Sequence, residues 1–268
     1  MALDSGSLSH GGGRAPGEPS PDDRIAPPWH DAPCLLVDVW GVLHDGREAF
    51  DDALRFLERM HAQGVVVRLV SNASWTAARL LAHLESLGFD PRHVDAVFTA
   101  GDEARRWVRE RQPAGVFYEG LAEPVPGVSP APLADCDLVV FANLTPRSEQ
   151  VLTHALEHDI PIVCANPDLA IWDRSGVPTP KAGSLARRFE ALGAEVHFAG
   201  KPSPGIFRRA APQGAPLIGD SPGTDLAGAL AAGIPSIWLK RRPYEEEAAL
   251  CARYRPSWVV TSLDEVRR

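Results

Sequence analysis

"LLVDVWGVLHDG", residues 35–46, is the stretch on which the reading of this chain turns. An apolar run delivers a single carboxylate, Asp38, into a turn containing Gly41. Uninterrupted apolar runs of this kind suit strands covered on both faces, as in parallel sheets flanked by helices. Trp40 stands two residues past the aspartate, and His44 six residues past it on the same turn. Taken alone, an apolar strand ending in Asp before a glycine turn is ordinary turn chemistry. Whether Asp38 is more than that depends on what the rest of the chain brings to it.

Working outward, "FDDALRFLERMHAQG" (50–64) places Phe50, Leu54, Leu57 and Met60 on one helical face. Acids open that helix and Gly64 follows its end. "VVVRLVSN" (65–72) reads as a second strand. "SWTAARLLAHLESLG" (74–88) reads as a second helix, with Leu80, Leu81, Leu84 and Leu87 inward and Gly88 as its stop. The alternation continues with strands at 94–100, 114–120, 137–143, 160–166, 215–220 and 235–240, and with helical patterns between them. Repeated βα units predict a doubly wound α/β fold with a parallel sheet. About ten strand candidates exceed what one domain of this size usually holds, so a second α/β lobe is expected. The expected division is a disordered tail over 1–33, a core over 34–102 and 196–268, and an inserted smaller cap over 103–195.

Composition narrows the function. Hydrophobic residues make up 44% and charged residues 23%, as in soluble globular proteins. A net charge of −8 argues against nucleic-acid binding, which needs a basic face. A small phosphorylated ligand needs only a few placed cations. Cys34, Cys136, Cys164 and Cys251 are widely spaced and form no CxxC, which suits a reducing compartment. The Gly-, Pro- and Ser-rich opening lacks the apolar core of a signal peptide, and no segment is long and apolar enough to span a membrane. The cytoplasm is the expected location.

In open parallel sheets ligands bind beyond the carboxyl ends of the strands. The strand ends here deliver Asp38, then Ser71 and Asn72, then Lys201 from "AEVHFAGKP", then Asp220 with Asp225 from "APLIGDSPGTD". Carboxylates with an open face suit Mg²⁺, and Lys201 can neutralise phosphate charge. Ser71 at a helix N-terminus could cradle phosphate oxygens or simply cap the helix, and the two roles are compatible. An aspartate aimed at phosphorus can form an aspartyl-phosphate that water then hydrolyses.

"DVWGVLHDG", "VSNAS", "GKPSPGIF" and "GDSPGTD", in this order, resemble the four motifs of the haloacid dehalogenase superfamily. With the long insertion between the second and third motifs, the chain is similar to its class II-capped small-molecule phosphatases, the class IIA branch of 4-nitrophenylphosphatases and N-acetylglucosamine-phosphate phosphatases. The resemblance covers nearly everything from Leu35 onward. It implies that Asp38 is nucleophile and Mg²⁺ ligand, with the Trp40 carbonyl and Asp220 completing the protein ligands and Asp225 supporting them. It implies that Ser71 and Asn72 hold phosphate, that Lys201 neutralises it, and that Asn166 and Asp168 of "ANPDLAIWD" shape the pocket from the cap. A homodimer through the cap is a further implication. The expected activity is hydrolysis of a small phosphomonoester.

One departure bears on chemistry. These phosphatases carry a second aspartate where Trp40 stands, to protonate the leaving group and activate water, and an indole can do neither. Phosphate hydrolysis with a substitute acid is one reading, with His44 as the candidate because imidazole titrates at about 6.5. Metal-independent carbon–halogen hydrolysis, which needs no leaving-group proton, is a second. A phosphate-ligand binding protein without turnover is a third. Trp40 itself could line the pocket floor or stack on a substrate ring.

Overall fold

The computed structural model describes residues 29–120, 123–172 and 177–267. Its first strand, β1 (Cys34–Val37), lies at the centre of a parallel six-stranded sheet. On one side β1 pairs with β2 (Val66–Ser71), which pairs with β3 (Ala96–Thr99). On the other it pairs with β10 (Leu217–Gly219), followed by β11 (Ser236–Leu239) and β12 (Trp258–Val260). The register matches Val37 with both Leu69 and Ile218, so β2 and β10 run one or two residues past the end of β1.

Alternation along these strands explains the two helical layers. Leu35, Val37, Leu69 and Ile218 face a cluster containing Ala53, Phe56, Leu57 and Met60 of α1 (Asp51–Ala62) and Leu80 and Leu84 of α2 (Ala77–Ser86). Leu36, Val70 and Leu217 face the opposite way, against Ile206, Phe207 and Ala210 of α6 (Pro204–Ala210) and Ala229 of α7 (Ala227–Ala232). Near-continuous apolar runs are thus required, because each face of the sheet is covered. Burying such a side chain contributes about 1.5–3 kcal/mol. The last helix, α8 (Glu247–Tyr254), lies between β11 and β12 in the chain.

A second parallel sheet has the order β4 (Val116–Glu119), β5 (Leu138–Phe141), β6 (Ile162–Cys164), β9 (Val196–Phe198). One face packs on α4 (Ser148–Glu157) and α5 (Ala182–Ala191), the other on α3 (Ala100–Arg111) through Ala104 and Val108. An antiparallel pair, β7 (Ala170–Trp172) and β8 (Pro178–Pro180), projects from this lobe. The strand 196–198, expected to reopen the core, therefore belongs to the second sheet. Its apolar pattern fits either sheet, and only hydrogen bonding to β6 decides.

The chain crosses between the sheets twice, at residues 99–101 and 199–201, and the crossings touch. Gly200, at φ +94°, passes so near Ala100 and Asn72 that a Cβ would lie 2.6 Å from each side chain. That conformation and that space both call for glycine.

The expected disordered tail also needs correction at its end. Residues 1–28 lie outside the described residues, but Trp29 is buried, packs edge-on against Trp258 at 5.7 Å, and donates its indole N–H to Arg267 O. A large apolar ring with a satisfied N–H docks this short stretch onto the core. All four cysteines are free thiols. No helix among the described residues is long and apolar enough to cross a membrane.

Candidate active site at the strand ends

Asp38 leaves β1 at the carboxyl end of the central sheet, its N–H still bonded to Ile218 O at 2.9 Å. Lys201 Nζ donates to Asp38 Oδ1 at 2.5 Å and to Val70 O at 3.0 Å. The same ammonium lies 2.7 Å from Asp225 Oδ1, an ion pair outside hydrogen-bond geometry. Lys201 is 2% exposed and Asp225 fully buried. Asp225 Oδ2 accepts the Ser221 N–H, which folds the side chain back over Gly219, where a Cβ would meet it at 2.4 Å. Asp220 follows β10, its carbonyl accepting from Trp238 Nε1 and the Tyr244 hydroxyl. Oxygens of Asp38, Asp220 and Asp225 all fall within 4.8 Å of one another.

Burial, reinforced by Asp225 and opposed by Lys201, pushes Asp38 well above the usual carboxylate range. Burial and Asp225 likewise push Asp220 up to about 7. Burial draws Lys201 down, but Asp225 and Asp38 outweigh it and hold the ammonium above the ordinary lysine value. With all three carboxylates ionised, the one ammonium leaves two negative charges in excess. An all-oxygen donor set with that surplus fits a hard divalent cation.

The turn after Asp38 is held from below. Arg241 donates to Gly41 O and Val42 O and forms a two-pronged pair with Asp52 of α1 at 3.1 and 2.8 Å. Gly41, at φ +83°, brings the turn against Asp220, where a Cβ would sit 2.3 Å from Oδ2.

Ser71 and Asn72 lie at the end of β2, both buried. Ser71 does not open a helix: α2 begins at Ala77 with Thr76 as its cap, and Ser71 Oγ accepts the Ala73 N–H of its own turn. Asn72 Oδ1 accepts the Lys201 N–H, and its amide donates to Lys201 O and, at 2.8 Å, to Asp168 Oδ1 from the cap. Burial raises the Asp168 carboxyl, with the Asn72 amide acting against it. Asn166 Oδ1 accepts the Asp168 N–H and shapes that turn. Asp38, Ser71, Asn72, Asn166, Asp168, Lys201 and Asp220 line one cleft of about 180 Å³ between the two sheets.

Trp40 and His44 are also in its wall. The Trp40 ring lies over Gly46, where a Cβ would be 2.0 Å from it, and its N–H donates to Trp172 O across the cleft. His44 is not placed as the substitute acid. Its Nδ1 accepts the Gly46 N–H at 2.8 Å, and burial, aided by His83, lowers it to about 4. With Nδ1 accepting, the neutral ring keeps its one proton on Nε2, and it is not the imidazolium that a general acid near neutrality would need.

Sequence reasoning missed Arg242, Lys181, Trp172 and His83, all of which line the cleft. Arg242 stacks on Trp172 and Tyr244 at 4.1 and 4.0 Å. It was within reach, since it follows the carboxyl end of β11 and the rule applied to Asp38 applies there too. Trp172 ends β7 and Lys181 follows β8, and no local pattern announces the position of that strand pair.

A model of haloacid dehalogenase-like hydrolases matches residues 35–124, and a second HAD-hydrolase-like model matches 198–266. D-glycerol 3-phosphate phosphatase of Mycobacterium tuberculosis is 29% identical over 227 residues, 78% of this chain and 63% of that protein. The chain thus spans less than two thirds of that relative's length. Human chronophin is 30% identical over 202 residues, 65% of this chain and 67% of that protein. The crystal structure of a glycerol phosphate phosphatase from Mycobacterium tuberculosis in complex with magnesium superposes with a TM-score of 0.74 at 26% identity, covering 91% of this chain and 79% of that one. With the two family models covering Asp38 in one match and Lys201 and Asp220 in the other, the chain belongs to the haloacid dehalogenase-like hydrolases.

Proposed function

We propose that the cleft hydrolyses a small phosphomonoester with Mg²⁺ through a phospho-Asp38 intermediate. The observation that carries the proposal is the cluster of Asp38, Asp220 and Asp225 around a single buried lysine. Its two surplus negative charges suit a divalent cation, whereas carbon–halogen hydrolysis would need none. Asp38, the Trp40 carbonyl and Asp220 would hold Mg²⁺, with Asp225 in support. Bound there, the ion would mask carboxylate charge and polarise phosphoryl oxygens.

The chain's own residues do the rest. Asp38 attacks phosphorus while Lys201 balances the charge of the phosphoryl group. Ser71 holds a phosphoryl oxygen, Asn72 positions Lys201 and Asp168 beside it, and Asn166 and Asp168 close the cleft from the cap. Water then cleaves the acyl phosphate and returns Asp38. The relatives named for glycerol 3-phosphate support a small ester, as does the size of the cleft.

The test is phosphate release from a panel of aryl, acyl, sugar and glycerol phosphates, with and without Mg²⁺. Release that requires Mg²⁺ and disappears in Asp38→Asn, with the fold retained, is the expected result. No release from any ester, while phosphorylated ligands still raise the melting temperature, would replace the enzyme by a binding protein.

A further inference from the structure

Resting on the phosphatase reading above, we infer that this cleft is selective for phosphates whose leaving group departs without a proton, namely acyl, enol and aryl phosphates, over alkyl phosphates. The basis is what surrounds Asp38 in the place where a leaving-group acid would stand. Trp40 stands where an acid would serve the leaving group, and its one N–H is donated to Trp172 O at 3.2 Å. The ring cannot swing aside easily, being packed on Gly46 and edge-on to His44 at 5.4 Å. His44 is 2% exposed, lies edge-on to His83, and uses Nδ1 to accept the Gly46 N–H. His83 is itself edge-on to Trp75 at 5.3 Å. From the cap, Asp168 accepts the Asn72 amide, and Lys181 holds its ammonium 5.9 Å from the Trp40 ring centre. Asp38 and Asp225 are paired with Lys201, and with Asp220 they would hold the cation they suit.

The chemistry balances without a protein acid. An Asp38 oxygen forms a bond to phosphorus, and the bond from phosphorus to the ester oxygen breaks with its electron pair. A carboxylate, enolate or phenolate leaves as a stable anion, whereas an alkoxide does not. In the second step water adds to phosphorus and the bond to Asp38 breaks, returning the carboxylate. One water proton stays on the phosphate and the other passes to solvent. Aspartyl phosphate is itself an acyl phosphate, so this step too has a leaving group that needs no proton. A positioned general acid is worth about 10²–10⁴-fold, and that factor separates the two substrate classes here.

The experiment measures kcat/KM for acetyl phosphate, for aryl phosphates of graded leaving-group acidity, and for glycerol 3-phosphate, all with Mg²⁺. Rates should fall steeply as the leaving group becomes more basic, with the alkyl ester about 10²–10⁴-fold below the best aryl ester. Trp40→Asp should raise the alkyl rate selectively; if that variant does not fold, the slope in the unaltered protein decides. Alkyl and aryl rates within about tenfold of each other, well inside the range an acid supplies, would overturn the inference and leave the phosphatase reading standing. If that flat profile becomes steep in Asp168→Asn or Lys181→Met, the cap supplies the proton. Release from no ester at all would overturn both.

Discussion

Replacing Lys201 by methionine tests the electrostatic design of the site most directly. The ammonium is 2% exposed and lies 2.5 and 2.7 Å from Asp38 and Asp225, of which the second is fully buried. Methionine keeps most of the stem's volume, so the cavity contribution is small and the lost charge dominates. Leaving buried carboxylates without their cation costs about 3–5 kcal/mol. For a domain of this size each kcal/mol moves the midpoint by about 2–4 °C, so the metal-free variant should melt about 6–20 °C below the unaltered protein. The sign with pH follows from the raised Asp38 carboxyl. Without Lys201 its folded-state pKa rises further, so protonation relieves the penalty in acid and the deficit widens as pH rises. Thermal unfolding followed by circular dichroism in EDTA, at pH 5.5 and pH 8, reads both effects. A midpoint within about 2 °C of the unaltered protein at pH 8, less than one kcal/mol by the same scaling, would refute Lys201 as the counter-ion of the cluster. Phosphate release should fall by at least about 10²-fold, as when one transition-state donor is removed.

Three further outcomes are expected. Because the Asp220 carboxyl is pushed up to about 7 from 3.8, its contribution to stability is present in acid and lost as pH rises through about 7. Mg²⁺ should therefore raise the melting temperature more at pH 8 than at pH 5, and equal shifts would count against a cation site at Asp220. Gly41→Ala places a Cβ 2.3 Å from Asp220 Oδ2 at φ +83°, adding about 1–2 kcal/mol of backbone strain to a clash with the cluster. Calorimetric Mg²⁺ titration should show weakened binding, and unchanged affinity would mean that Asp220 does not bind the ion. Trp29→Ala removes a buried ring and its bond to Arg267 O, worth about 3–5 kcal/mol. An unchanged urea midpoint would show that the residues before β1 do not contribute to the fold.

Much of the site was legible from Leu35 onward because its chemistry sits at strand ends, which apolar runs mark. Asp38, Asn72, Lys201, Asp220 and Asp225 come together as the strand-end rule requires. The reasoning failed where local pattern carries no tertiary address. Ser71 looked like a helix start because serine commonly is one, yet Thr76 takes that role. His44 is near Asp38 in the chain, but its turn aims Nδ1 at Gly46.

By itself the sequence determined the fold class, the layering of helices on parallel strands and the identity of the carboxylates and lysine. These follow from periodicity and from residue types within a few positions of one another. Only the tertiary structure decided that residues 196–198 join the second sheet, so that Lys201 reaches Asp38 from the crossing between lobes. It alone decided that Trp172 and Lys181 line the cleft with Asp38. Such placements depend on strand pairing and on packing between residues more than a hundred positions apart, and no window along the chain contains both partners.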